Sequence, residues 1–309
     1  MKLLDSRNRQ ADSGREARTL RHRHLAAAGL IAVVSVLSAC SVTKMTVRAS
    51  LPLMDASLVA MNRETDIDLA KAAIPANLKM LEGMIETDPD NLRLRIYAAQ
   101  GLYSYAYGFV EDDDSNRASA LYRRGLHNAQ RALQIHGLNA DIVHARRDEL
   151  ERAVARLDKD AVPALFWGAS CLAKWIYMNR TDPQIIALLG QASVLMNRVL
   201  QLDENYYFGG AHMYFGVYYG SLAPMFGGDY ARSRQHFDAA RRVTAGKLLL
   251  VDVLYAEYLA RQTLDQRMFH DTLSAVMAAP PDLYPEMALA NRIAQQKAKR
   301  LLDKEKEWF

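Results

Sequence analysis

Cys40 is the residue whose neighbours assign it a chemistry. Arg15, Arg18, Arg21 and Arg23 make a basic run, residues 25–36 an apolar run of twelve, and Leu37-Ser38-Ala39-Cys40 closes it. A basic start, an apolar run too short to span a bilayer and small residues before the cleavage point are the parts of an export signal. The cysteine after them makes it a lipobox, so cleavage frees the Cys40 amine and thiol for acylation. Residues 1–39 therefore read as a lipoprotein signal peptide and Cys40 as the lipidation site. Each buried methylene adds about 0.8 kcal/mol, so three acyl chains tether far more firmly than one. Ser41 stands where an aspartate would favour inner-membrane retention. That directs the expectation to the periplasmic face of the outer membrane in the envelope of a Gram-negative cell.

No other residues assemble a reaction. With Cys40 acylated, Cys171 is the remaining cysteine and has no internal disulfide partner. Its apolar surroundings, residues 164–172, make it a buried small side chain rather than a nucleophile. Gly168-Ala169-Ser170-Cys171 begins like a nucleophile elbow, but Leu172 takes the place of the last glycine and no strand precedes it. There is no HExxH, GxxxxGK[ST] or GxGxxG, and no cysteine pair with metal spacing. His136, His144, His212, His236 and His270 are dispersed. The reading is a non-enzyme with no catalytic residues, no cofactor and no metal.

Charge narrows the partners. The chain has 39 Lys/Arg against 35 Asp/Glu, but residues 1–39 hold seven and three of these, leaving 32 of each afterwards. A formally neutral mature chain has no surplus to displace counterions, so nucleic-acid binding loses its support. Half the residues are apolar and 24% charged, which excludes intrinsic disorder. After the signal no run reaches the eighteen apolar residues of a membrane span.

The elements that must position any site are helices. Residues 40–50 read as a lipidated tether and 51–309 as one α-helical domain. Ala72, Leu78, Leu81, Met84 and Ile85 mark a helix that stops at Asp88-Pro89-Asp90-Asn91, where proline removes a donor and aspartate or asparagine caps the next helix. Further helices are expected over 92–110, 116–135, 142–157, 163–179, 183–202 with a break at Gly190, 207–222, 230–243, 247–261, 265–277 and 283–306. No strand signal is present, so the class is all-α. The stretch 80–91 resembles 195–205 about 114 residues later, each a helix ending in an acidic Asn turn before a Tyr-rich helix. In the second copy Tyr230, Ser233, Phe237 and Ala240 fall at the spacing of tetratricopeptide B-helix positions, which predicts stacked helix pairs in a compact superhelical array.

The Tyr-rich helices load more than one face. Tyr103 and Tyr107 share a face, as do Tyr105 and Phe109, Tyr214 and Tyr218, and Phe215 and Tyr219. Either all are core, or one face lines an apolar channel in which tyrosine hydroxyls find water or ligand. Lys174, seven positions after Trp167, either snorkels to solvent or brings a charge into that channel. The candidate lining set is Tyr103, Tyr107, Trp167, Lys174, Tyr214, Tyr218 and Phe226, with 224–228 as a rim.

Residues 164–170, 213–220 leading into 224–229, Leu254-Tyr255-Ala256-Glu257-Tyr258, and 289–302 together resemble the TatT component family, lipoproteins associated with tripartite ATP-independent periplasmic (TRAP) transporters. The resemblance covers 69–309. It implies an envelope lipoprotein of tetratricopeptide-like helices, a homo-trimer with a pore through each subunit, that works with the transporter's periplasmic substrate-binding protein. A carboxylate attracted by Lys174 is implied at the same level. No role is carried over to the acidic segment Glu111-Asp112-Asp113-Asp114. Two functions compete: an accessory component that binds or channels a small carboxylate or apolar ligand, and a tetratricopeptide scaffold for envelope complexes that touches no small molecule.

Overall fold

A computed structural model describes residues 42–280 and 282–309. The signal segment, Cys40 and Ser41 lie outside the described residues. The chain divides into two compact units, 1–54 and 55–309. In the first, residues 42–49 are helical where the sequence reads as a tether. Neither glycine nor proline interrupts them, and the Thr46 hydroxyl returns to the Val42 carbonyl at 3.1 Å.

The described residues contain no strand. In chain order the main helices are α1 (Leu51–Asn62), α2 (Ile67–Thr87), α3 (Leu92–Phe109), α4 (Ser115–Ile135), α5 (Arg147–Val154), α6 (Val162–Met178), α7 (Leu189–Leu202), α8 (Tyr206–Ser221), α9 (Tyr230–Val243), α10 (Leu250–Tyr255), α11 (Gln266–Ala278) and α12 (Ala288–Asp303). Short carboxyl or amide side chains start many of them. Asn91 accepts from the Leu94 amide, Asp114 from Arg117, Asp229 from Arg232 and Asp265 from Met268, each satisfying a donor the helix leaves open.

Four boundaries differ from the periodicity, each for a local reason. The helix expected over 142–157 shrinks to α5, because Asp141 takes the Val143 and His144 amides and Gln130 bonds both Ala140 O and Ile142 N. With those groups satisfied, residues 142–146 stay out of a helix. The break expected at Gly190 falls instead at 187–188, between the one-turn helix Pro183–Ile186 and α7. Pro183–Leu202 has the length and mean hydropathy of a membrane span, but Gln184, Gln191, Asn197, Arg198 and Gln201 interrupt it, so no run of eighteen apolar residues is present. Its apolar face, including Ala192, Leu195, Met196 and Val199, is spent in the core. The helix expected from 247 starts at Leu250, because buried Asn291 bonds Leu249 N and Lys247 O. The last helix, expected from 283, begins at Ala288 after the 3-10 turn Pro285–Met287.

Consecutive helices pack as pairs, α3 on α4, α6 on α7 and α8 on α9, with α4 also against α6. The tetratricopeptide-like positions explain the α8–α9 pair. Ser233, Phe237 and Ala240 are buried and Tyr230 half-buried. Ser233 donates to Gly216 O at 2.7 Å, and a Cβ on Gly216 would come within 2.8 Å of the Phe237 ring. In the first copy Ala118, Tyr122 and Gly125 are buried on α4 in the corresponding places. The C-terminal helix then returns to the start of the unit: Leu289 and Ile293 of α12 pack with Ala70 of α2, and the Ile293 side chain fills the space a Cβ on Gly108 of α3 would need.

Candidate ligand cavity and the aromatic line behind it

The end of α3 delivers a carboxylate into the protein. The amides of Val110 and Glu111 both close on Ala106 O, which ends the helix tightly and turns Glu111 inward. Its side chain is only 7% exposed. Lys174 of α6 donates to it at 2.9 Å, Lys297 of α12 at 3.0 Å, and the Tyr122 hydroxyl of α4 at 2.5 Å. Lys297 also bonds Asp112 at 3.0 Å. Burial alone would raise the Glu111 pKa, but the two ammonium groups and the hydroxyl overcome it and hold the carboxyl below its usual range. Burial would lower the Lys297 pKa, but the Glu111 and Asp112 carboxylates outweigh it and raise it.

The acidic segment is therefore divided by task. Glu111 and Asp112 hold the buried lysines, Asp113 pairs with Arg300 of α12 at 2.8 Å, and Asp114 caps α4. Ile293, Lys297 and Arg300, on successive turns of α12, fix that helix against the end of α3.

Beside this cluster lies a cavity of about 490 Å³, lined among others by Lys174, Tyr177, Glu257, Tyr258, Lys297 and Trp308. Glu257 stands in the π-helical turn Ala256–Ala260 that continues α10. It is half-buried and makes no hydrogen bond or ion pair to another described residue. Burial raises its pKa; Lys174 and Lys297 pull the other way and Glu111 adds to the rise.

Of the sequence-predicted lining residues, Lys174 faces the cavity, 15% exposed, with its charge already matched by Glu111. Tyr107 lies directly behind: its ring sits 4.7 Å from the Lys174 ammonium and 4.2 Å from that of Lys297. Its hydroxyl is buried without a hydrogen-bond partner, although the residue as a whole keeps some exposed surface. Tyr103 stacks on Tyr107 at 6.1 Å, Trp167 packs on Tyr103 at 5.4 Å, and Tyr207 meets Trp167 edge-on at 4.7 Å. Trp167 is 1% exposed and belongs to the core. Tyr214 and Tyr218 stack on each other at 6.2 Å in a separate group with Phe215 and Tyr219. No described ring contact joins them to Tyr103 or Tyr107. Phe226 is 71% exposed at the tip of a 3-10 turn, so it presents its ring to solvent rather than to an interior wall.

Tyr207 reaches Trp167 because the chain takes left-handed geometry at three successive residues, Tyr207, Phe208 and Gly209. Only the glycine adopts this freely, and the two aromatics cost roughly 1–2 kcal/mol each. Gly210, next in line, sits against the Phe166 ring, which a Cβ would meet at 2.4 Å. Burial pushes the Tyr207 hydroxyl up to about 12, moderated by hydrogen bonds with Gln100 and Ser104 of α3.

The family model described as TRAP transporter T-component matches residues 63–309. The chain belongs to the TRAP transporter T-component family. No curated protein matches it. The family is an accessory family of a transporter rather than an enzyme family, and places this T-component in a bacterial envelope transport system. In this T-component the residues that sequence reasoning passed over are Glu111, Glu257 and Lys297. A signal was present for Glu257 alone, a charged residue type inside the mainly apolar run 253–260, which globular interiors accept when the charge has a partner or a task; Lys297, among Gln295, Gln296, Lys299 and Arg300, carried none.

Proposed function

We propose that this T-component is a lipid-anchored periplasmic accessory protein of a TRAP transporter, which binds or channels a small ligand together with the system's substrate-binding protein. The observation that carries the ligand-handling part is the cavity of about 490 Å³ walled by Lys174, Glu257 and Lys297. Its volume lies in the range of small-molecule sites, and its wall is mostly charged, with Tyr177, Tyr258 and Trp308 set among the acids and bases, which suits a small charged ligand. Tyr107 backs the two lysines with its ring, and Tyr103 stacks behind it toward the core. The Cys40 lipobox supplies the anchor to the periplasmic face of the outer membrane, and the family's association with TRAP transport supplies the partner. Three copies, each with its own passage, is the assembly this reading adopts.

The test is capture of the substrate-binding protein encoded beside this chain by the full protein purified in detergent. Saturable binding with micromolar or tighter affinity supports the proposal. No binding, with or without small-molecule extract, returns the chain to the envelope-scaffold reading.

A further inference from the structure

The cavity holds unmatched charge of both signs. Lys174 and Lys297 are neutralised by Glu111 and Asp112, and Arg300 by Asp113. Asp303 is paired with Lys299, so what remains on the wall is the Glu257 carboxylate and three cations without a described carboxylate partner, Arg180, Arg261 and Lys304. Arg261 lies 4.5 Å over the Trp308 ring, and Arg180 lies 4.9 Å over the Tyr177 ring. Glu257 and Arg261 are four residues apart, in the order that favours an ion pair along an α-helix. They do not pair. The turn between them is π-helical, with the Arg261 amide reaching back five residues to Ala256 O, so the ordinary register of i and i+4 side chains is lost. Such turns are frequent at functional sites.

We propose that this cavity binds a small zwitterion, an amine-bearing carboxylic acid, with its ammonium group on Glu257 and its carboxylate on Arg261. A simple carboxylate leaves Glu257 unmatched and repelled; a simple amine meets Arg261 and Arg180. A molecule carrying both groups matches both, and Tyr177 and Trp308 give its methylene chain an apolar wall. Lys174 then acts through Glu111 to fix the floor of the cavity rather than as the ligand's own counter-ion. This assignment rests on the reading of the T-component as a ligand-handling protein and names the ligand class.

Calorimetric titration of the full protein in detergent tests it with three matched series: glycine, 4-aminobutanoate and 6-aminohexanoate; acetate, butanoate and hexanoate; ethylamine, butylamine and hexylamine. At least one amino acid is expected to bind tenfold or more tighter than the acid and the amine of its own length. Glu257→Gln should weaken that amino acid at least tenfold and leave the matched acid unchanged, whereas Arg261→Gln should weaken both. The thermal midpoint of each variant is read alongside; Glu257→Gln removes an unpaired half-buried charge and should not lower it. Equal affinity for acids and amino acids, insensitivity to Glu257→Gln, or no binding in any series overturns the assignment. If the substrate-binding protein is still captured, the accessory role stands and only the ligand class falls; if capture fails too, both fall.

Discussion

Glu111 is a single carboxylate on which three helices depend. With Lys174 and Lys297 buried against it, Glu111→Gln leaves two ammonium groups short of a counter-charge, and breaking a buried pair from one side costs about 3–5 kcal/mol. Urea unfolding should show a loss of that order, larger than for Asp113→Asn, whose pair with Arg300 is exposed. Tyr107 predicts the opposite sign. Its hydroxyl is buried with no partner, and an unsatisfied buried polar group costs about 1–3 kcal/mol, so Tyr107→Phe should match or exceed the parent in the same titration. A drop of more than about 1 kcal/mol would show that the hydroxyl is satisfied. His236 gives a pH dependence. Burial, then His212 and Arg232, lower its pKa from 6.5 to about 4. Between those values the unfolded chain binds the proton and the folded one does not. Stability is therefore full above about pH 6.5 and declines as the pH falls towards 4. His236→Asn should flatten that decline, measured as unfolding midpoint against pH.

The helix pairs depend on close approach. Gly216 and Gly220 lie one turn apart on α8, and at Gly220 a Cβ would come within 2.5 Å of the Tyr258 carbonyl and 2.8 Å of Ser233 Oγ. Backbone cannot rotate away as a side chain can, so Gly220→Ala should cost about 1–3 kcal/mol of overpacking despite alanine's better helix propensity. Gly83, on α2 with nothing near its Cβ position, is the control: Gly83→Ala should hold or gain stability. Circular-dichroism melts of the two variants separate the effects. The left-handed turn at 207–209 belongs to the same scale, since its strain is repaid by the Tyr207 ring against Trp167 and Phe166.

For the molecule as a whole, the proposed anchor is tested at Cys40. Cys40→Ala should leave the chain unacylated, either released from the membrane fraction or retained with its signal attached. Fractionation and intact mass read this directly, and unchanged membrane association with no mass shift would overturn the lipobox reading. Closure is carried by α12, whose Lys297 and Arg300 join residues nearly two hundred positions earlier. That contact completes the cavity wall, because Lys174 and Lys297 come from the middle and the end of the chain to meet one carboxylate.

Local patterning was enough to specify the all-α class, most helix limits and capping residues such as Asn91. These are set by period, by proline and by short polar side chains acting within a few residues of themselves. The packed positions Ser233, Phe237 and Ala240 were legible for the same reason. The charged cavity was not. The acidic run holding Glu111 carries no role in the sequence, and Lys174 in an apolar helix reads equally as a side chain escaping to water or as a charge in a channel. What each carboxylate and ammonium does depends on which opposite charge lies within about 4 Å, and that was decided only when α12 returned to α3. The left-handed Tyr207 and Phe208 were hidden too. No local preference favours that geometry in aromatic residues, so only the packing of Phe166 and Trp167 against the turn could impose it.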